Sequence, residues 1–488
     1  MAVNVAPGFD LQPSSQQVPL STNYITDFNF LNQYLPDTFE KEFERYGNRS
    51  IASFLRMVGA EMPSNSDLIK WAEQGRLHVK YQNCTSGAGA AAANGVWTIP
   101  NNITNFNPAL AGSPNSAALR VGQTVMISDK TAGSNLSNKG IVTVGPGSGG
   151  NAVNQVTIAY YEAGGQAVAA AVACDIFVYG SEFNKGTNGM QGSLEADDFI
   201  FDNKPIIIKD KYNVSGSDMA QIGWIEVTTE NGASGYLWYL KSEHETRLRF
   251  EDYLETAMIE AVPAEAASGA GDFLQGVGAG ASVANLNGSD GIFFVVGARG
   301  NVWGGGNPSS LADFDSVISR LDKQGSIEEN VIFLNRNFSF DIDDMLAQQN
   351  SYGAGGTSYG LFDNDEEMAL NLGFTGFRRG YDFYKSDWKY LNDPTMRGGI
   401  VGGKVNGLLV PAGSTTVYDQ ILGKNAKRPF LHVRYRASET EDRRYKTWIT
   451  GSAGGARTSD LDAMEVNFLS ERAVCTLGAN NFFLFQDA

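Results

Sequence analysis

The sequence predicts an α+β protein built from a long strand-rich segment, one long helix, and a later unit that mixes helices with strands. The first observation is that apolar residues alternate with polar ones from Leu77 almost to residue 230. The second is a helical pattern from about Gly235 to Val262, with Pro263 just beyond its end. The third is that Gly-rich loops separate shorter helical and strand patterns after that helix.

Length, glycine content and charge limit the classes of protein that the chain can belong to. Its 488 residues are enough for about two to four packed units, and its 56 glycines indicate many turns and open loops. The 54 acidic residues outnumber the 37 basic ones, which gives a net charge of −17. Because phosphate groups repel such a chain, specific binding to nucleic acid is not expected.

Cysteine usage and hydropathy indicate a protein of a reducing cytoplasm. Cys84, Cys174 and Cys475 lie far apart in the sequence and form no CxxC pair, so we interpret them as small buried apolar residues. The sequence has neither a basic-then-apolar leader nor a run of about 18 apolar residues. Secretion and membrane spanning are therefore not expected.

The first part of the chain is predicted to be an arm followed by short helices. Residues 1–36 contain four prolines and little periodicity, which is typical of an extended arm. A first helix is predicted from Asp37, because Glu40 lies three residues on, as in a capping box. Two more short helices are predicted at about 51–58 and 66–75.

The strand-rich segment is predicted to carry a small sandwich or barrel. It contains four short strand patterns separated by glycine turns, and regular short strands of this kind are typical of such folds. Three further patterns lead back out of it. The four strands are predicted at 121–128, 140–144, 156–161 and 175–179, and the return patterns at 199–201, 206–208 and 224–229.

Beyond the long helix, strand and helix patterns alternate. Ser310 is predicted to cap a helix that begins at Leu311, and residues 341–349 are predicted to form another helix. The last part of the chain returns to the two-residue period, with Leu431 and Val433 on one face of a strand. Further strands are predicted at 292–296, 331–334, 372–378, 381–390, 405–410, 445–450, 464–469, 473–477 and 482–485.

The chain opens with MAVNVAPGF (1–9) and closes with NNFFLF (480–485). Together with the order of predicted elements, these residues resemble the major capsid proteins of tailed phages, whose fold is called the Johnson fold, and most of all those of crAss-like phages. The resemblance implies a division of the chain into six parts. These are an N-terminal arm (1–36), P-domain helices (37–76), an E-loop excursion (77–234) with a β-rich insertion at about 85–185, a P-domain spine helix (235–262), an A-domain (263–424) and P-domain C-terminal strands (425–488).

The resemblance implies a structural protein rather than an enzyme: a major capsid protein that forms the pentamers and hexamers of an icosahedral head around double-stranded DNA. The expected partners are copies of itself, a portal, a scaffold and auxiliary or head-fibre proteins. Only weak, non-specific contact with packaged DNA is expected, and no contact with a membrane. The location implied is the virion capsid, after assembly in the host bacterial cytoplasm. The alternative is an encapsulin-type shell of a cellular compartment, and an extracellular β-rich adhesin is a third hypothesis.

Residues suited to catalysis or metal binding are sparse. The histidines His78, His244 and His432 fall in different predicted elements and form no HExxH pattern. The acidic clusters at 341–344 and 363–367 lack the EF-hand spacing. We therefore predict no catalytic, cofactor-binding or metal-binding residues and no cofactor.

The candidate functional residues are four arginines on the predicted terminal strands, close in sequence to the acidic segment 439–442. Two interpretations are open: a hairpin that neutralises its own charges, or ion pairs between subunits. The residues are Arg434, Arg436, Arg443 and Arg444.

Overall fold

The computed structural model describes most of the chain from residue 60 onwards. The predicted N-terminal arm, the helices predicted at 37 and 51–58, and the acidic cluster at 363–367 lie outside the described residues. The described ranges are 60–75, 78–89, 91–101, 117–192, 198–221, 227–228, 234–235, 238–265, 268–275, 287–325, 327–350, 376–419, 424–455 and 457–487.

Strands dominate these ranges, as the two-residue periods predict. In chain order they are β1 (Ala60–Ser64), β2 (Ile69–Gln74), β3 (Lys80–Ser86), β4 (Asn94–Thr98), β5 (Gln123–Asp129), β6 (Ser137–Val144), β7 (Gln155–Tyr160), β8 (Cys174–Ser181), β9 (Asp198–Asn203), β10 (Ile206–Ser215), β11 (Val227–Thr228), β12 (Ser234–Gly235), β13 (Asn301–Trp303), β14 (Glu329–Leu334), β15 (Gly376–Arg379), β16 (Tyr381–Asp387), β17 (Val405–Pro411), β18 (Ser414–Asp419), β19 (Lys424–Pro429), β20 (Leu431–Arg436), β21 (Lys446–Gly451), β22 (Ala463–Thr476) and β23 (Phe483–Gln486).

The helices confirm the long helix and the Ser310-capped helix predicted from the sequence. They are α1 (Gly216–Met219), α2 (Trp238–Glu260), α3 (Gly269–Gln275), α4 (Ile292–Arg299), α5 (Leu311–Gln324), α6 (Arg336–Asn350) and α7 (Lys389–Asn392), with single 3-10 turns at Arg397–Gly399 and Ala479–Asn481. The described helices do not combine the length and the apolar character that a membrane crossing requires.

Of the two folds predicted for the strand-rich segment, a sandwich or a barrel, the structure shows a closed barrel. Its strands follow the order β3-β4-β7-β6-β5-β8, so that the first strand pairs with the last. Side chains alternate between the interior and solvent, as along β6, where Asn138 and Val142 are buried and Lys139 is exposed. The fully buried Trp97 donates its indole N–H to the Tyr160 hydroxyl at 2.8 Å. The barrel therefore has a core of its own.

The chain enters and leaves the barrel along one antiparallel pair, β2 and β9, with Ile69 opposite Asn203. The helix predicted at 66–75 is therefore wrong. The apolar residues Ile69 and Trp71 are two apart and lie on one face of β2, while Lys70 between them is exposed. Pairing with β9 satisfies the backbone hydrogen-bonding groups of this segment. That pairing overrides the local pattern that suggested a short helix.

A six-stranded mixed sheet follows in the order β13-β23-β17-β14-β16-β15. The strand β23, near the end of the chain, lies between β13 and β17, parallel to the first and antiparallel to the second. Helices α5 and α6 share a core with the sheet. Its buried members are Phe314, Val317, Leu321, Ile332, Leu334, Phe338, Ile342, Met345, Phe383, Leu409, Phe483 and Phe485.

Residues 292–296, predicted as a strand, form the first part of helix α4 instead. An unbroken apolar run fits a buried strand and a buried helix equally well. In the structure Ile292, Phe293, Val295 and Val296 are buried and Phe294 is exposed, which is a helical pattern. A second correction concerns 464–469 and 473–477, which form one continuous strand, β22, rather than two.

The chain divides into two compact units. Of the residues that the structure describes, one unit comprises those within 207–257 and 439–471, and the other comprises those within 60–206, 258–438 and 472–487. In the first unit, Phe250 of α2 stacks on Phe468 of β22 with ring centroids 5.6 Å apart. The rings of Tyr445 and Phe250 pack edge to face, with their centroids 5.5 Å apart. These rings form the centre of that unit's core.

We predict that Ser310→Ala destabilises the protein by about 1 kcal/mol, because it removes a capping box. The Ser310 hydroxyl accepts the Asp313 N–H at 3.3 Å, and the Asp313 carboxylate accepts the Ser310 N–H at 3.2 Å. Urea unfolding measures the change. Ser316→Ala is the matched control, since Ser316 is an exposed residue of the same helix whose replacement by alanine costs little. Equal unfolding midpoints for the two variants would contradict the prediction.

Candidate functional site

Two of the four predicted arginines, Arg434 and Arg436, lie on β20. This strand pairs in parallel with β1 and antiparallel with β22, so that Arg434 is opposite both Met62 and Ala473. Arg436 forms an ion pair with the carboxylate of Asp67. Asp67 has an 88% exposed side chain, so solvent screens this pair strongly.

The other two arginines, Arg443 and Arg444, belong to the other unit. The Nε of Arg443 lies 2.6 Å from Oε2 of Glu471, and both side chains are largely buried, at 27% and 11% exposure. Arg444 is exposed; its backbone N–H donates to Asp442 Oδ1 at 2.8 Å and its carbonyl accepts the Ser470 hydroxyl at 2.5 Å. The four arginines thus divide into two pairs, one in each compact unit.

The hypothesis of a self-neutralising hairpin is only partly consistent with these contacts. Within the acidic segment, Glu441 pairs with Lys446. Arg443 instead pairs with Glu471, a partner on β22 that sequence reasoning missed because it lies outside the local acidic segment. A role of the arginines in contacts between subunits stays a prediction.

A further arginine that the sequence did not single out is nearly buried. Arg472 on β22 has a side chain only 8% exposed, with Nη1 3.4 Å from Oε1 of Glu61 on β1. Because β1 and β22 lie on opposite sides of β20, this pair bridges the strand that carries Arg434 and Arg436. No local sequence signal distinguishes it.

Asn203 holds together three segments at the base of the barrel excursion. It ends β9 and is 4% exposed. Its Nδ2 donates to the carbonyls of Asp290 at 3.0 Å and Val474 at 2.6 Å. Its Oδ1 accepts the Ser289 hydroxyl at 2.9 Å and the Asp290 N–H at 2.8 Å. The amide therefore fixes the exit of the excursion relative to β22 and to the segment leading into α4.

Arg299 reinforces the same base. Its guanidinium carbon lies 3.8 Å from the ring centroid of Phe201 on β9 and 5.8 Å from that of Trp71 on β2. Burial lowers the pKa of Arg299 and raises the pKa of Asp290, while the charges of Glu73 and Asp290 act in the opposite direction on Arg299. The cation thus packs on both strands of the ribbon.

Two of the remaining sequence candidates, His432 and the acidic cluster at 341–344, have contacts within the chain. His432 is buried, with Nδ1 3.2 Å from the carbonyl of Pro429. In the acidic cluster at 341–344, Asp343 forms a largely buried pair with Lys385, and Asp341 accepts from Asn307 at 2.6 Å. Among the residues that the structure describes, no group of three or more histidine, cysteine, aspartate or glutamate side chains is placed to hold a metal ion.

No family model and no curated protein matches this sequence. Among solved structures, it is similar to a chain of Microbacterium phage Oxtober96, with a TM-score of 0.39 and 8% identity, over 95% of this chain and 99% of that one. It is also similar to the capsid of a native GTA particle (TM-score 0.38, 8% identity, 96% and 100% coverage) and to the mature capsid of bacteriophage PhiM1 (0.32, 10%, 63% and 78%).

We predict that a double-mutant cycle on Arg443 and Glu471, with glutamine at each position, gives a coupling free energy of about 1 kcal/mol or more in urea unfolding, because the pair is shielded from water. The matched cycle on Arg436→Gln and Asp67→Asn should give less than about 0.5 kcal/mol, because Asp67 is exposed. Equal couplings would show that burial does not distinguish the two pairs.

Proposed function

We propose that this chain is the major capsid protein of a tailed double-stranded DNA phage, most like those of crAss-like phages, and that its role is structural rather than enzymatic. The observation that carries the proposal is the order of its elements. A closed barrel enters and leaves on one ribbon, a 23-residue helix follows, and a six-stranded sheet completed by the strand β23 comes last. This is the order that the Johnson fold implies.

Each element has an assignment in this proposal. The β2–β9 ribbon is the base of the E-loop, and the barrel is its insertion. Helix α2, about 35 Å long at 1.5 Å per residue, is the spine helix. The sheet with α5 and α6 is the A-domain, and β20 to β22 are the closing strands of the P-domain.

Subunits that form closed pentamers and hexamers need heterologous contacts, in which two different surfaces of the same chain meet. An exposed apolar loop in the proposed A-domain supports such a contact. Val401 is 89% exposed and Ile400 is 42% exposed. No described atom lies within 4 Å of the position that a Cβ would take on the flanking Gly402, so a neighbouring subunit can approach the backbone closely. We assign this loop to contacts around the symmetry axes.

We also propose that the chain makes only weak, non-specific contact with packaged DNA. The net charge is −17, and the adjacent cations Arg378 and Arg379 each lie beside an aspartate. Arg378 Nε is 3.1 Å from Asp382 Oδ1, and Arg379 pairs with Asp315. Cations already paired within the chain gain less from phosphate. A portal, a scaffold and auxiliary or head-fibre proteins are the other proposed partners.

We predict that the purified full chain forms pentameric and hexameric rings visible by electron microscopy, and that closed heads require a scaffold or portal. An encapsulin-type shell protein would instead close alone into small uniform particles. In a particle reconstruction, residues 300–310 and the loop of Val401 should lie near the symmetry axes. Their location at the periphery of the ring would overturn the assignment.

Ring formation, seen by electron microscopy, also tests the role of the exposed Arg444. Arg444→Glu reverses the charge of an exposed side chain, so it should reduce ring formation while the variant monomer remains folded, as urea unfolding measures. Lys139→Glu, on the outer face of the barrel, is the matched charge reversal and should assemble like the wild type. Normal assembly of the Arg444 variant would restrict this residue to intrachain contacts.

We predict that capsomers show no submicromolar binding to duplex DNA at about 0.15 M salt. Asp315→Asn combined with Asp382→Asn releases Arg379 and Arg378, so this variant should bind more tightly, and its affinity should fall more steeply with salt, by about two phosphate contacts. A salt titration measures both. Tight, salt-sensitive binding by the wild type would reveal a basic surface and contradict the prediction.

A further inference from the structure

Two of the cysteines, 90 residues apart in the sequence, face each other in the barrel. Cys84 on β3 is the register partner of Cys174 on β8. Both are free thiols with side chains fully excluded from solvent, and both belong to the barrel core. The sequence spacing hid this pair, because β3 and β8 are the first and last strands and meet only when the barrel closes.

The separation of directly opposed residues suits a disulfide. Opposed residues of antiparallel strands have Cα atoms about 4.5–5.5 Å apart, and disulfides bridge Cα atoms about 4.4–6.8 Å apart. Both side chains point into the same core, so neither has to turn to the other face of the sheet. The left-handed Asn83, with φ of 58°, lies at a register shift between Tyr81 and Cys84 and brings Cys84 into this register.

Charged contacts outside the barrel hold the two strands at this point. Asp175, next to Cys174, accepts Lys80 Nζ at 2.9 Å and lies 3.6 Å from Lys130 Nζ. Lys130 Nζ also donates to Asn83 Oδ1 at 2.9 Å. The residues adjacent to both cysteines are thus tied to each other on the solvent side, which opposes slippage of the pair.

We propose that Cys84 and Cys174 are a cryptic disulfide site, which a small-molecule disulfide such as oxidised glutathione converts into a covalent closure of the barrel. In the first step Cys84 loses its proton to solvent and attacks one sulfur of glutathione disulfide. A mixed disulfide forms and one glutathione thiolate leaves. Cys174 then loses its proton and attacks the Cys84 sulfur, which releases the second glutathione. The two protein thiols are oxidised by two electrons and the glutathione disulfide is reduced to two thiols.

The folded barrel controls when this reaction takes place. Burial raises the pKa of Cys84 to about 12 and that of Cys174 to about 11, so the reactive thiolates are scarce near neutral pH. The thiols also have no contact with solvent. The pair therefore stays reduced while the barrel is closed and reacts when the barrel opens or before it has folded. Once formed, the bond joins the strands whose separation would open the barrel.

The experiment exposes the full chain to oxidised glutathione under two conditions. One is native buffer, and the other is a urea concentration at which hydrogen exchange shows the barrel opening, followed by dilution. Digestion without reductant and mass spectrometry then identify linked peptides. We expect a Cys84–Cys174 link, lighter by two hydrogens, to form much faster in the urea arm. In the linked protein, exchange of buried barrel amides should slow by on the order of 100-fold or more.

Two cysteine variants test whether the link is specific to Cys84 and Cys174. Cys475→Ser should leave the link unchanged, because Cys475 lies on β22 opposite His432 and not in the barrel. Cys174→Ser should leave Cys84 with a glutathione adduct and without a link to another cysteine. The proposal is overturned if no Cys84–Cys174 link forms in the urea arm, or if Cys475 links to either cysteine as readily. The Cys475→Ser protein alone decides the outcome if the barrel variant does not fold.

Discussion

The side-chain amide of Asn203 is the constraint on which the placement of the barrel excursion depends. A nearly buried amide that lost its partners would cost about 1–3 kcal/mol for each unsatisfied group. Asn203 satisfies both ends of its amide, on the backbone of Asp290 and Val474 and on Ser289. Because it ends β9, it fixes the point where the chain leaves the excursion, and Arg299 packs on the same ribbon nearby. Hydrogen bonds of Asn203 therefore hold the point where the excursion ends, whereas the barrel within the excursion is stabilised by its own apolar core.

The strand β22 contains buried polar residues. Ser470, Glu471 and Arg472 are consecutive polar residues of this strand and are all buried. The Ser470 hydroxyl donates to the Arg444 carbonyl, Glu471 pairs with Arg443, and Arg472 pairs with Glu61. Removing one partner of such a pair leaves an uncompensated charge, which costs more than the pair itself contributes. These residues therefore specify which segments meet β22, a choice that apolar packing alone leaves open.

The barrel is self-contained in a way that suits an insertion. Its first and last strands pair, so its two chain ends leave side by side and connect to a single ribbon. Among the described residues, its core shares no buried residue with the core of the six-stranded sheet. A module of this kind can be stabilised, even by a covalent bond between β3 and β8, without altering the residues of the proposed A-domain. In the proposed capsid, that separation allows local stability and subunit contact to change independently.

The sequence by itself determined the elements whose signals are local and periodic. The helix α2, the cap at Ser310 and the barrel strands β5 to β8 follow from spacings of a few residues, which the backbone geometry of helices and strands imposes. Tertiary structure decided the segments whose local pattern is ambiguous or misleading: residues 69–74 became a strand because β9 pairs with them, and the apolar run 292–296 became a helix. Tertiary structure alone also paired Arg443 with Glu471 and Cys84 with Cys174. The physical reason is that partners 28 and 90 residues apart meet only through strand pairing, and neither spacing leaves a trace in local composition or period.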